Sequence, residues 1–306
     1  MGLKVKSLEE HFKPKDYDKI RIKEMGNIVE LMYTERKNHQ ILIKKISDKE
    51  YIDLRTGEVK QCNSINNRAD NLNSVRQSLG RLRDLLNTNI TDVKKCRWVT
   101  LTYAENMTDS KRLYKDFDKF NKRMKYALSK DGHKYEYIVC MEPQGRGAWH
   151  AHLLYIWQNK APYIPNQELA DLWQQGFVKI KKLDDVDNVG AYLTAYLGDM
   201  EITEIDNLKS SQYQLKTVEI EENGEKVKKS YIKGARLELY PANFQMIRHS
   251  KGIKQPTETY MSLEDAKKKV LGATKTFESS VKISDDNGFS NVISKAYYNS
   301  KRKEIQ

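Results

Sequence analysis

Between residues 95 and 200 the chain alternates between strand-like and helix-like segments, and this order constrains the fold more than any other feature. Residues 96–103 (CRWVTLTY) are rich in β-branched and aromatic residues, which favours a strand. A helix with an apolar stripe follows, and two strands joined by a Pro- and Gly-containing loop come next. The order predicts an α+β fold with an antiparallel-rich sheet and helices packed on one face.

Periodicity and turn residues give the approximate element bounds. The predicted elements of the central region are strands 96–103, 134–141, 149–157 and 177–183, and helices 166–175, 188–197 and one whose stripe is Leu113, Phe117, Phe120, Met124 and Leu128. Residues 20–60 predict a small β-meander, residues 74–89 a helix, and residues 262–271 a Lys-rich helix. Asn223-Gly224 separates two β-prone runs, as in a hairpin.

The charge balance points to a polyanionic partner. The 306 residues include 54 Lys and Arg against 42 Asp and Glu, a formal net charge of +12. Nucleic acid is the simplest such partner, and a basic enzyme without one remains the alternative. Three widely spaced cysteines exclude a thiolate zinc ribbon and fit a reducing compartment. With no apolar stretch of bilayer length and no secretory leader, we expect a cytoplasmic protein without membrane contact.

His150-Ala151-His152 is the most informative tripeptide. On a strand, alternate side chains point to the same face, so the two imidazoles lie side by side. Glu142 ends the preceding strand and approaches them if the hairpin pairs as predicted. Such a His₂Glu set binds a divalent metal with open positions, and it suits Mn²⁺, Mg²⁺, Zn²⁺ or Fe²⁺. The alternative is a pair of polar residues on a solvated face.

Tyr192 and Tyr196 lie four residues apart on the last helix of this region. Both phenols therefore share one helix face, one turn apart. A phenol with a pKa near 10 is a poor nucleophile at neutral pH unless a metal or a cation stabilises the developing charge. The alternative is that one or both tyrosines are core residues at the edge of the apolar stripe.

Three segments together resemble a known family. WVTLTY (98–103), GAWHAHLLY (147–155) and VGAYLTAYL (189–197) are similar, in order and approximate spacing, to the three motifs of the HUH endonucleases. These are rolling-circle replication initiators of phages and plasmids. The resemblance covers roughly residues 95–200.

The resemblance implies a fold, a site and a reaction. It implies a sheet of the ferredoxin-like HUH type, with His150 and His152 as metal ligands and Glu142 as the third ligand. It implies Tyr192 and Tyr196 as the paired catalytic tyrosines of the two-tyrosine subgroup. The reaction would be metal-assisted transesterification of single-stranded origin DNA, with Mg²⁺ or Mn²⁺, leaving a 5′-phosphotyrosyl adduct and a free 3′-OH primer.

Two differences from members of the family bear on the charge at the site and on the partners. Many members carry a lysine beside the tyrosines, whereas Thr194-Ala195 lies between them here. No phosphate-binding GxxxxGK[ST] motif occurs, and Gly272–Thr276 is too short a match. We therefore expect a host helicase and a host polymerase to act with this protein.

Basic residues outside the motifs are candidates for holding flanking DNA. They are Arg76, Arg81, Arg146, Lys233, Arg236 and Arg248. Each could equally be an ordinary solvated charge. With these residues in mind we divide the chain into an accessory segment 1–92, a catalytic core 93–200 and a DNA-contacting accessory segment 201–306.

Two other functions compete with the initiator hypothesis. A non-catalytic nucleic-acid-binding protein on a ferredoxin-like sheet would bind DNA in a salt-dependent way that EDTA does not affect. A hydrolase or oxygenase built on His₂Glu would turn over without either tyrosine. Formation of a covalent DNA adduct separates the initiator from both.

Overall fold

The structure, a computed structural model, describes residues 4–37, 41–47, 49–62, 66–130, 132–184, 188–194, 199–201, 215–222, 225–232, 235–286 and 288–302. The strands are β1 (Lys4–Ser7), β2 (Lys19–Met25), β3 (Ile28–Thr34), β4 (Ile43–Lys45), β5 (Glu50–Asp53), β6 (Val59–Gln61), β7 (Cys96–Tyr103), β8 (Tyr135–Pro143), β9 (Trp149–Trp157), β10 (Gly176–Lys181), β11 (Met200–Glu201), β12 (Leu215–Glu222), β13 (Glu225–Ile232), β14 (Ile247–His249), β15 (Thr257–Ser262), β16 (Thr274–Ser284) and β17 (Ser290–Asn299). The α-helices are α1 (Leu72–Asn89), α2 (Ser110–Lys130), α3 (Asn166–Trp173), α4 (Val189–Thr194) and α5 (Leu263–Lys269).

No helix in the described ranges is long and apolar enough to cross a membrane.

The chain folds into two compact units, one of residues 66–254 and one of residues 1–65 with 255–306. The first unit is built on a five-stranded antiparallel sheet in the order β10-β7-β9-β8-β14. The predicted α+β class with predominantly antiparallel sheets is confirmed. The strand predicted at 96–103 is confirmed as β7, and the strand pair predicted around residues 134–157 is confirmed as β8 and β9.

Helices cover both faces of this sheet, whereas the sequence placed them on one. On one face α2 and α3 bury the apolar stripe predicted for α2, and all five of its side chains are buried. On the other face α1 and α4 pack against Ile138, Cys140 and Leu154. Alternation along each strand sends successive apolar residues to opposite faces, so both faces of a sheet rich in apolar residues need a cover.

The second unit carries a six-stranded antiparallel sheet in the order β1-β16-β17-β3-β2-β15. Ala266 of α5 packs on it together with Val270, which follows the helix. The Ser262 hydroxyl caps α5 by accepting a hydrogen bond from the Asp265 amide at 3.1 Å. The predicted β-meander divides between sheets, because β3 joins this one while β4, β5 and β6 form a separate three-stranded sheet. The boundaries predicted at residues 92 and 200 stay predictions.

A second three-stranded sheet follows α4 in the chain, in the order β11-β13-β12. Its strands β12 and β13 pair antiparallel from Leu215 with Ile232 to Glu222 with Glu225. The predicted hairpin strands are therefore confirmed, and the Asn223-Gly224 turn itself lies outside the described residues.

Helix α4 approaches α1 closely at one glycine. The Gly190 amide donates a hydrogen bond to Asn87 Oδ1 at 2.8 Å. A Cβ on Gly190 would lie 2.5 Å from the carbonyl oxygen of Arg83 and 2.6 Å from Asn87 Oδ1. Glycine at this position therefore sets how near α4 lies to α1.

We predict that Gly190→Ala destabilises the protein by about 1–3 kcal/mol, because the added methyl group forces the two helices apart. Gly80→Ala is the matched control, since a Cβ on Gly80 meets no atom within 4 Å. In the interior of α1 this control should stabilise by about 0.5–1 kcal/mol. Urea unfolding measures both changes, and equal stability of the two variants would contradict the close packing.

Candidate functional site

The register of three neighbouring strands gathers the predicted metal ligands on one face of the sheet. Glu142 of β8 pairs directly with His150 of β9, and Cys140 pairs with His152. On the other side of β9, Thr100 of β7 pairs with His152. Paired residues point to the same face of a sheet, so both histidines and Glu142 lie together.

The loop between β8 and β9 fixes this register. The Gln144 amide donates to the carbonyl of Ala148 at 2.7 Å, and the Gly147 amide donates to the carbonyl of Gln144 at 2.8 Å. Gly147 has a φ of 86°, a conformation that glycine adopts without steric cost. The predicted Pro- and Gly-containing hairpin connection is confirmed. Ala151 is buried on the opposite face and anchors the strand there.

His152 is oriented from three sides. Its ring stacks on Trp98 with the ring centroids 5.8 Å apart. Its Nδ1 lies 3.3 Å from the Thr100 hydroxyl oxygen, and its Nε2 lies 3.4 Å from Glu142 Oε2. The contacts on Nδ1 and Nε2 restrict rotation of the imidazole, as is common for histidines that bind metals.

His150 differs from its neighbour because one of its ring nitrogens has no hydrogen-bond partner among the described residues. The two imidazole centroids are 6.1 Å apart. His150 Nε2 is buried and makes no hydrogen bond to any described residue. Burial, reinforced by the adjacent His152, lowers the pKa of His150 to about 4, against a smaller opposing effect of Glu142. A neutral imidazole at pH 7 keeps the lone pair that a metal ligand needs.

Glu142 is a buried carboxylate with a cationic partner. It is 2 % exposed, and Arg236 Nη1 lies 3.0 Å from its Oε1. The positive charge of Arg236 offsets part of the cost of burying the carboxylate. Arg236 was predicted only as a DNA contact, and nothing in the sequence pattern signals this ion pair.

Helix α4, which contains Tyr192, lies on the same face as the histidines. Val189 and Leu193 pack in the cluster that includes Cys140, the residue paired with His152. The Asn188 side chain begins the helix by accepting a hydrogen bond from the Ala191 amide at 2.8 Å. The structure describes the backbone of Tyr192 and not its side chain, and Tyr196 lies outside the described residues.

The predicted DNA-binding residues are spread over the unit of residues 66–254. Arg76 and Arg81 are exposed on α1, and Arg146 is exposed in the β8–β9 loop, where its Nε donates to Gln144. Arg248 of β14 pairs with Asp118 at 3.2 Å. Lys233 lies outside the described residues.

The residues around His150 fit a divalent metal by their chemistry. Two imidazoles and a carboxylate are suitable donors, and the buried His150 Nε2 lacks any other partner in the described ranges. As arranged, no three or more His, Cys, Asp or Glu side chains among the described residues form a metal-binding group. The Arg236 contact occupies one oxygen of the carboxylate, which a metal ion would share or displace.

Comparison with known proteins gives one match. Residues 96–201, about a third of the chain, match the family model described as replication-associated protein ORF2/G2P. No curated protein and no solved structure matches the chain. The matched segment runs from the start of β7 to the end of β11 and contains Glu142, both histidines and Tyr192. Over this segment the chain is therefore similar to a replication-associated family.

Proposed function

We propose that this protein starts rolling-circle replication by nicking and rejoining single-stranded DNA at an origin. One observation carries the proposal: Glu142, His150 and His152 lie on one sheet face that α4 also covers, inside the segment that matches the replication-associated family. The partners are origin DNA, a host helicase and a host polymerase, and the setting is the cytoplasm.

The chemistry is a transesterification at phosphorus. The hydroxyl oxygen of Tyr192 attacks the scissile phosphate, and its proton passes to solvent. The bond from phosphorus to the 3′ oxygen breaks, and that oxygen takes up a proton to become the 3′-OH primer. The phosphate stays joined to the tyrosine and to the 5′ end of the strand. Attack by a 3′-OH reverses the step without ATP, because the phosphodiester bond energy is kept in the adduct.

The site residues divide into metal ligands, residues that orient them, and nucleophiles. A Mg²⁺ or Mn²⁺ ion would be held by Glu142, His150 and His152, and it would supply Lewis-acid stabilisation of the charge that develops on the phosphate. Trp98 and Thr100 fix the His152 ring. Tyr196, four residues after Tyr192 in the sequence, serves as the nucleophile of the second cleavage that ends a round.

We predict that Tyr192→Phe combined with Tyr196→Phe abolishes the covalent protein–DNA adduct, because both nucleophilic oxygens are lost. The substrates are single-stranded oligonucleotides that tile the replicon encoding the protein, incubated with Mn²⁺ and resolved on a denaturing gel. Tyr163→Phe is the control, since Tyr163 is 88 % exposed. An adduct that persists in the double variant would contradict the assignment of the nucleophiles.

We predict that His152→Ala lowers the rate of nicking about 100-fold, which corresponds to about 3 kcal/mol of transition-state stabilisation. EDTA should have a similar effect on the unaltered protein, and Mn²⁺ should restore its activity. His133→Ala is the control because His133 is exposed and lies between α2 and β8. DNA binding that survives EDTA, without any nicking in Mn²⁺, would instead favour the non-catalytic binding protein.

A further inference from the structure

A polar cavity of about 450 Å³ lies beside α1 and the edge strand β14. Its lining includes three arginines and two serines: Arg68, Arg81, Arg248, Ser74 and Ser78. None of the described residues that line it is acidic. The cavity therefore concentrates positive charge within the unit of residues 66–254.

Arg68 is the most constrained of these cations. Its two terminal nitrogens donate to the hydroxyls of Ser74 and Ser78, each at 3.1 Å. Its Nε is buried and has no hydrogen-bond partner within the described ranges. The serines hold the guanidinium in place but bring no negative charge to it.

The positive charge in the cavity is only partly neutralised. Arg248 pairs with Asp118 at 3.2 Å. In the part of the chain that the structure describes, no carboxylate lies within ion-pair distance of Arg68 or Arg81. A half-buried cation without a counterion raises the free energy of the folded protein, and a bound anion lowers it again. The planar donor fork of arginine matches phosphate oxygens.

The cavity lies two strands away from the candidate site in the same sheet. Ile247 of β14, which lines the cavity, pairs with Cys140, and Cys140 pairs with His152. Two strand spacings separate Ile247 from His152, which is about 10 Å. A distance of about 10 Å is within the reach of the phosphates that neighbour a scissile phosphate along a DNA strand.

We propose that this cavity binds a backbone phosphate of single-stranded DNA close to the scissile phosphate, with Arg68 and Arg81 as its ligands. The proposal rests on the proposed function, since it assigns a second contact for the same strand. The bound phosphate fixes the register of the strand without reading its bases. Arg68 and Arg81 are positioning residues for the nicking reaction.

The test is the salt dependence of binding to labelled oligo(dT), measured in EDTA so that no cleavage occurs. Loss of one phosphate contact lowers the slope of log K against log salt concentration by about 0.7 for a single strand. We expect Arg81→Gln to lower this slope by about that amount and the affinity about 10-fold at low salt. Arg68→Lys, which keeps the charge but loses the fork, should weaken binding with a smaller change in slope.

Lys122→Gln is the control, because Lys122 is exposed on α2 in the same unit and does not line the cavity. It should leave the affinity and the slope unchanged. Equal losses of affinity in Lys122→Gln and Arg81→Gln would overturn the proposal, because binding would then depend on the overall positive charge and not on the cavity. Inorganic phosphate could raise the melting temperature of the unaltered protein but not of Arg81→Gln, while both bind oligo(dT) equally well. The cavity would then hold a free phosphate ligand, and the proposal would also fail.

The outcome is independent of the nicking assay. Binding in EDTA reports on the cavity even if no tyrosine adduct ever forms. Conversely, Arg81→Gln could form the adduct normally and bind oligo(dT) as tightly as the unaltered protein. That result would contradict the second phosphate contact and leave the proposed nicking function unaffected.

Discussion

The register between β8 and β9 is the constraint on which the candidate site depends. A slip of one residue in this pairing would turn His150 and His152 toward the opposite face, because side chains alternate along a strand. The buried apolar residues Met141, Ala151 and Leu153 oppose such a slip, since each lies in the core on the other face. Core packing on one side of the sheet thus places the polar residues on the other.

Burial then determines the ionic state of the site. A carboxylate as buried as Glu142 needs a cation, and Arg236 supplies one at 3.0 Å. Burial also favours the neutral form of His150, whose pKa falls to about 4. The Glu142 side chain therefore lies beside an imidazole that is neutral at pH 7, and both are donors that suit a divalent metal.

Local sequence patterns predicted the strands and helices well where hydrophobic periodicity and turn residues determine the structure. Strand β7 has the predicted bounds, and the apolar stripe of α2 is buried at every predicted position. The paired positions of Glu142 and His150 followed from strand alternation and a hairpin loop that contains Gly147. Each of these features depends on residues close together in the chain.

Features that join distant segments could not be predicted. The Arg236–Glu142 ion pair links a 3₁₀ turn (Ala235–Leu239) to β8, and no spacing rule connects them. The pairing of β3 with β17 joins the two ends of the chain in one sheet, which a division by chain order does not anticipate. The sequence also did not predict helices on both faces of the sheet. The amphipathic pattern of α1 indicates that the helix packs on a sheet, but it does not specify which face.

The central claim is that the paired strand positions form a divalent metal site. The most direct measurement is the anomalous difference density of crystals of the unaltered protein grown with Mn²⁺. We predict one peak within metal-ligand distance of imidazole nitrogens of His150 and His152 and of an oxygen of Glu142. Crystals with no peak at these residues, and with Arg236 still paired to Glu142 at saturating Mn²⁺, would contradict it.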